Sequence, residues 1–382
     1  MKHILFPIIF TTSLIGCGNK SSSPPANQSN QPPAATDDGT IIKNQFPAVA
    51  FDKVTGLKTL ADFPIGMEVA AGDEERSIFK KTDQQPVLQW HFNSLVAGVI
   101  MKMRHLHPQE NTFTFDQADE LVSYAEKNNM LMHGHTLIWH WDSEIPEFMN
   151  TYTGDWKTML DKHVYEIVSH YKGRVRSWDV VNEAIVETSP TTSDYRPSIF
   201  FNALGKTYIE NAFVAARQAD PSVELYYNDY SLENNNSKLS FTLSMVDDFI
   251  NRKIPIDGIG FQMHTQLDYP HVSDIKAAFT AAAARKLKVK ITELDIAVNN
   301  ANTQTLSPTI ALAQKNRYKE IVKAYLEAVP PAQRGGITIW GLVDGETWMR
   351  SYFGRLEWPL VFNDDYSVKP AYYGIAEALS GK

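Results

Sequence analysis

Short apolar, β-branched runs alternate along this chain with stretches whose apolar residues recur at helical spacing. That alternation constrains the fold more than any other feature. It predicts strands over Pro64–Val69, Ser94–Ile100, Met130–Leu137, Ser177–Asn182, Glu224–Asn228, Gly258–Gln262, Val289–Thr292 and Gly336–Trp340. Helices are predicted over Asp116–Asn128, Trp156–Tyr171, Tyr208–Asp220, Lys238–Arg252, Val272–Arg285 and Ile310–Ala328, with Tyr366–Leu379 closing the domain. Eight strands alternating with helices imply an α/β chain folded as a single parallel (β/α)8 TIM barrel rather than an open sheet.

Two of the predicted strands carry carboxylates at their C-terminal ends. One is Trp178-Asp179-Val180-Val181-Asn182-Glu183-Ala184, and the other is Val289-Lys290-Ile291-Thr292-Glu293-Leu294-Asp295. The C-terminal ends of barrel strands are where this architecture presents its chemistry. In a closed eight-stranded barrel the fourth and seventh ends face each other across the mouth. A pair of carboxyl groups there is the minimal equipment for hydrolysing a glycosidic bond, at about 5–5.5 Å for retention or roughly 6.5–9.5 Å for inversion. One acid needs a raised pKa and the nucleophile a low one, so Glu183 and Glu293 require different surroundings. Asn182 is placed to hydrogen-bond a sugar hydroxyl. His264 is placed to hold Glu293 ionised, and Asp295 to fix that imidazole. Trp139, Trp340 and Trp348, all close to strand ends, form a candidate sugar platform.

Composition narrows the remaining choices. The 382 residues are 43% hydrophobic, enough for a large core, and the net charge of −8 argues against nucleic acid as a partner. His133-Gly134-His135 with His140 raises zinc chemistry, but further ligands at a supporting spacing are lacking and the domain has no cysteine. No metal or other cofactor is expected. The lone cysteine, Cys17, excludes an intramolecular disulfide. It follows a basic start, an apolar run and Leu14-Ile15-Gly16, which resembles a bacterial lipoprotein signal with Cys17 as the lipidated residue. The expected organisation is therefore a signal over residues 1–17, a Ser/Pro/Asn/Gln-rich tether over 18–45 and a catalytic domain over 46–382. The apolar run is too short to span a bilayer, so a lipid is the expected membrane contact. Gly18 rather than Asp after the cysteine favours the outer membrane or cell surface, and a monomer is the default.

The two glutamate motifs, in this order, resemble glycoside hydrolase family 10 endo-β-1,4-xylanases. Gly134-His135-Thr136-Leu137-Ile138-Trp139-His140, Tyr227-Asn228-Asp229-Tyr230 and Lys369-Pro370-Ala371-Tyr372-Tyr373 extend the resemblance from about Phe63 to Leu379. It implies a retaining double displacement on xylan or xylo-oligosaccharides, without a metal. Glu183 then matches the general acid/base and Glu293 the nucleophile. Lys102, His135, Trp139, Asn182, Tyr230, Gln262, His264, Trp340 and Trp348 match substrate-binding positions, and Asp295 supports His264. Several positions depart from the family pattern. Gly98 and Val99 stand where a Glu-Asn pair is usual, His133 where Arg is usual, Trp141-Asp142 where Ser-Gln is usual, and Met263 where Gly is common. Loss of the polar pair points to decorated or mixed-linkage xylan as the substrate. A non-catalytic glycan-binding lipoprotein is the alternative in a different functional class.

Overall fold

Strand Arg334–Ile339 hydrogen-bonds in parallel to strand Ile65–Val69, and that one pairing closes the sheet on itself. The computed structural model describes residues 48–189 and 191–382. The signal and tether expected over residues 1–45, Cys17 included, lie outside them. Around the ring run β1 (Ile65–Val69), β2 (Ser94–Ala97), β3 (Leu131–Gly134), β4 (Ser177–Asn182), β5 (Glu224–Asp229), β6 (Gly258–Phe261), β7 (Lys288–Ala297) and β8 (Arg334–Ile339). Each pairs in parallel with its sequence neighbours. The expected (β/α)8 barrel is thus the observed one.

The strands are buried along nearly their whole length because side chains fill the barrel on one face and helices cover the other. Those helices are α1 (Gln84–His91), α2 (Asp116–Lys127), α3 (Trp156–His170), α4 (Thr207–Ala219), α5 (Ser237–Arg252), α6 (Val272–Ala283), α7 (Pro308–Ala328) and α8 (Pro370–Leu379). Their starts are chemically marked. Asp155 caps α3, Asn236 caps α5, and Ser307 followed by Pro308 opens α7.

Several bounds differ from the sequence expectation, each for a local reason. Helix α1 was not anticipated: it is eight residues long and carries Pro86, so it shows little periodicity. The predicted strand Met130–Leu137 breaks after Gly134, where the Trp178 ring leaves no space for a side chain, and resumes as the short strand Ile138–Trp139. Glu293 does not end its strand. β7 continues to Ala297, and its register against β8 slips between Ile291 and Leu294, re-aiming the side chains in that interval. Helix α8 starts at Pro370 rather than Tyr366, which occupies a left-handed turn. An unpredicted hairpin, Ile185–Ser189 with Thr192–Tyr195, rises directly after β4 beside the barrel mouth.

Candidate active site

Glu183 follows the last residue of β4 with φ of 57°, a left-handed conformation that turns its side chain away from the strand path. Such a backbone costs a non-glycine residue on the order of 1 kcal/mol or more. Two contacts hold it there. The Glu183 N–H donates to the Asn228 carbonyl at 2.9 Å, and its own carbonyl accepts from Arg196 Nε at 2.8 Å.

Three amide side chains span the space between the two glutamates. Gln262 Nε2 donates to Glu183 Oε1 at 3.0 Å and to Asn182 Oδ1 at 3.3 Å. Asn228 Nδ2 donates to the same Asn182 oxygen at 2.9 Å and to Glu293 Oε1 at 2.8 Å. Thr292 Oγ1 in turn donates to Asn228 Oδ1 at 2.7 Å, which fixes that amide's orientation. Glu183, Asn182, Asn228, Gln262 and Glu293 therefore form one hydrogen-bonded floor, contributed by β4 to β7 and the residues at their ends.

The proton affinities of the two carboxyls diverge. Burial pushes the Glu183 carboxyl above its ordinary value and the charge of Asp229 adds to this, while the Gln262 amide pulls it part of the way back. Its neighbouring histidine does not help ionise it. His140 Nδ1 lies 4.0 Å from Glu183 Oε2, but burial holds the imidazole near a pKa of about 3, so it stands neutral. Burial also raises Glu293, yet the hydrogen bond from His264 and the nearby His135 outweigh it, and Glu293 ends below its ordinary value. His264 Nε2 is 3.1 Å from Glu293 Oε2 and its Nδ1 is 2.7 Å from Asp295 Oδ1. Despite its burial, these two carboxylates keep His264 charged well above the usual imidazole range. Trp348 Nε1 donates to the other Asp295 oxygen at 2.8 Å, so the support extends to a third residue.

Aromatic rings enclose this floor. The His135 ring lies 5.4 Å from Trp340 and its Nδ1 is anchored 2.9 Å from the buried Asp179. Lys102 Nζ sits 4.8 Å from the centre of the Trp139 ring. Trp139 stacks on Trp141 at 5.6 Å, and Trp141 is 44% exposed. Tyr230 stands one layer back: its hydroxyl accepts from Arg196 at 2.8 Å, and the buried Lys238 lies 3.3 Å from its ring centre. Among the described residues, no group of three His, Cys, Asp or Glu side chains is gathered as metal ligands would be.

Some residues singled out from sequence lie elsewhere or carry a different meaning. His133 lies inside the barrel against Ser177 and Asp179, away from the cleft wall. Met263 has φ of 64°, which accounts for glycine being common at that place. Asn228, Asp179, Arg196 and Thr292 organise the site without having been assigned a role from sequence. Asn228 had a signal, since it sits inside a quoted motif. Glu68, which also had no role assigned from sequence, shows as a charge inside the otherwise apolar run Ile65-Gly66-Met67-Glu68-Val69.

With this geometry described, likeness to known proteins can be stated. The family model for glycosyl hydrolase family 10 matches residues 57–378. The chain belongs to that family. It is 45% identical over 352 residues to endo-beta-1,4-xylanase Xyn10C of Cellvibrio japonicus, covering 86% of this chain and 58% of that protein. To endo-1,4-beta-xylanase B of Thermotoga neapolitana it is 34% identical, covering 85% of this chain and 92% of the other. The solved structure of a xylanase 10C mutant from Cellvibrio japonicus in complex with xylopentaose superposes with a TM-score of 0.85 at 44% identity, covering 88% of this chain and 71% of that one. This family 10 chain thus spans little more than half the length of the Cellvibrio Xyn10C sequence.

Proposed function

We propose that the protein is a retaining endo-xylanase that cleaves β-1,4-xylosidic bonds in xylan. The observation that supports it most is the paired glutamates: one amide-bridged floor holds both, and their proton affinities are displaced in opposite directions. In the first step Glu293 attacks the anomeric carbon while Glu183 gives its proton to the departing sugar oxygen, and the glycosidic bond breaks as the glycosyl ester forms. Water then replaces Glu293 on that carbon and returns a proton to Glu183. Asn182, Gln262, His135 and Lys102 would hold sugar hydroxyls, and Trp139, Trp340 and Trp348 would cover apolar sugar faces. The relatives named above are xylanases, which supports the same substrate class.

The finer reading is a xylanase tuned to decorated or mixed-linkage xylan, attached to the outer membrane or cell surface through lipidated Cys17. Val99 and the exposed Trp141 support the first part, and the signal-like N-terminus the second. The decisive experiment is release of reducing sugar from xylan, with proton NMR of the first product. Newly formed β-anomer is expected, and either no release or initial α-anomer would refute the proposal. Turnover on linear, branched and mixed-linkage xylans tests the subtype. Palmitate labelling lost on Cys17→Ala tests the anchor.

A further inference from the structure

Glu68 is a buried carboxylate that the double displacement does not use. Its side chain is 6% exposed, the same as that of Glu293. A carboxylate seated this deep in an apolar strand is costly unless something uses it.

Its position is defined by two glycines. A Cβ built on Gly98, just past the end of β2, would lie 1.9 Å from Glu68 Oε1. Gly98 does not have a left-handed backbone, so it is glycine for reasons of space. A Cβ on Gly341, next to Trp340 at the end of β8, would lie 4.0 Å from Glu68 Oε2. The carboxylate therefore reaches from β1 across the ends of both neighbouring strands, into the place a side chain at residue 98 would fill.

A purely structural role would be an ion pair with Arg76. Arg76 Nη2 is 3.8 Å from Glu68 Oε1, an ion pair without a hydrogen bond. That guanidinium is already engaged by Glu74 at 3.6 Å and by the Glu346 carbonyl at 3.1 Å. Burial pushes the Glu68 carboxyl above its ordinary value, and Arg76 and, more weakly, Lys102, the lysine that lies over Trp139, draw it part of the way back. Among the described residues neither Glu68 oxygen has a hydrogen-bond partner.

We propose that Glu68 is a specificity-determining residue, whose carboxylate accepts hydrogen bonds from the xylose unit adjoining the reacting one on the Lys102 side of the cleft. It supplies from β1 the acidic group that Gly98 cannot. The polar pair missing at 98 and 99 is thereby half replaced, since Val99 still offers no amide. This inference rests on the xylanase reading.

Two aryl glycosides with the same leaving group isolate that contact: 4-nitrophenyl β-xyloside, with one sugar before the cleaved bond, and 4-nitrophenyl β-xylobioside, with two. Glu68→Ala should lower the kcat/KM ratio of xylobioside to xyloside about 10- to 100-fold, as expected for hydrogen bonds to a charged group. Glu68→Gln preserves shape and should lower the ratio in the same direction, so the test survives if the alanine variant folds poorly. Adding Gly98→Glu to Glu68→Ala should recover part of the ratio, because the vacated space can take the new carboxylate. Gly98→Glu alone, with Glu68 in place, should not raise it. An unchanged ratio in both Glu68 variants, with wild-type protein active, overturns this inference and leaves the xylanase reading intact. Wild-type protein inactive on both glycosides and on xylan overturns both.

Discussion

Each glutamate of the cleft has a histidine beside it, and the two histidines are in opposite states. His140 near Glu183 has a buried Nδ1 with no hydrogen-bond partner among the described residues, and burial leaves the ring neutral. His264 near Glu293 is half-buried, with Asp295 behind it and Trp348 behind Asp295. Two carboxylates, Asp295 at 2.7 Å and Glu293 at 3.1 Å, make one imidazole a counter-ion, while burial and the charges of Arg196 and Lys238 leave the other a neutral wall. His264 helps draw Glu293 below its ordinary value, whereas Glu183 is raised by burial and Asp229 with no charged histidine to offset them.

Removing the ionised side of the comparison should have the largest effect. Glu293→Ala deletes the attacking group, and kcat on xylan should fall on the order of 10⁵-fold or more. Retention of more than a few per cent of turnover would contradict the assignment.

Removing the protonated side should cost less, and the cost should depend on the leaving group. Glu183→Ala should lower kcat/KM on xylan about 10²- to 10⁴-fold. Glycosylation with a nitrophenyl leaving group should suffer far less, because that group departs without a proton. An equal loss on both substrates would argue against Glu183 as the acid.

The smallest expected effect tests the supporting chain directly. Activity requires Glu293 ionised and Glu183 protonated. It should therefore rise with pH through the lowered pKa of Glu293 and fall through the raised pKa of Glu183. Asp295→Asn removes the charge that keeps His264 positive, so Glu293 loses part of its stabilisation and its pKa climbs. The acid limb of the kcat/KM profile should move up by about one pH unit while the alkaline limb stays. An unmoved acid limb would mean that Asp295 only packs against Trp348.

Much of the fold is legible in the chain because parallel strands buried on two faces must read as continuous apolar runs. Less legible is the strand through Glu293, where a register slip against β8 lets β7 run on to Ala297. Helix α1 hides behind Pro86, and the hairpin after β4 is half-exposed and polar, so neither carries a period. In the site, motif residues such as Asn182, Glu183 and Glu293 announce themselves as polar groups that interrupt or close apolar runs. Asp179 shows as a charge inside an apolar run but its pairing with His135 does not show, and Arg196 gives no sign of its bond to the Glu183 carbonyl.

The order of the eight strands, the identity of the acidic pair and the end of β4 just before Glu183 follow from the sequence alone. These depend only on local pattern and spacing. Ring closure decided what no local pattern carries: which histidine is charged, which amides join the two glutamates, and that Glu68 fills the space beside Gly98. Each of those depends on groups from different strands meeting within a few ångströms, and only the closed barrel brings them together.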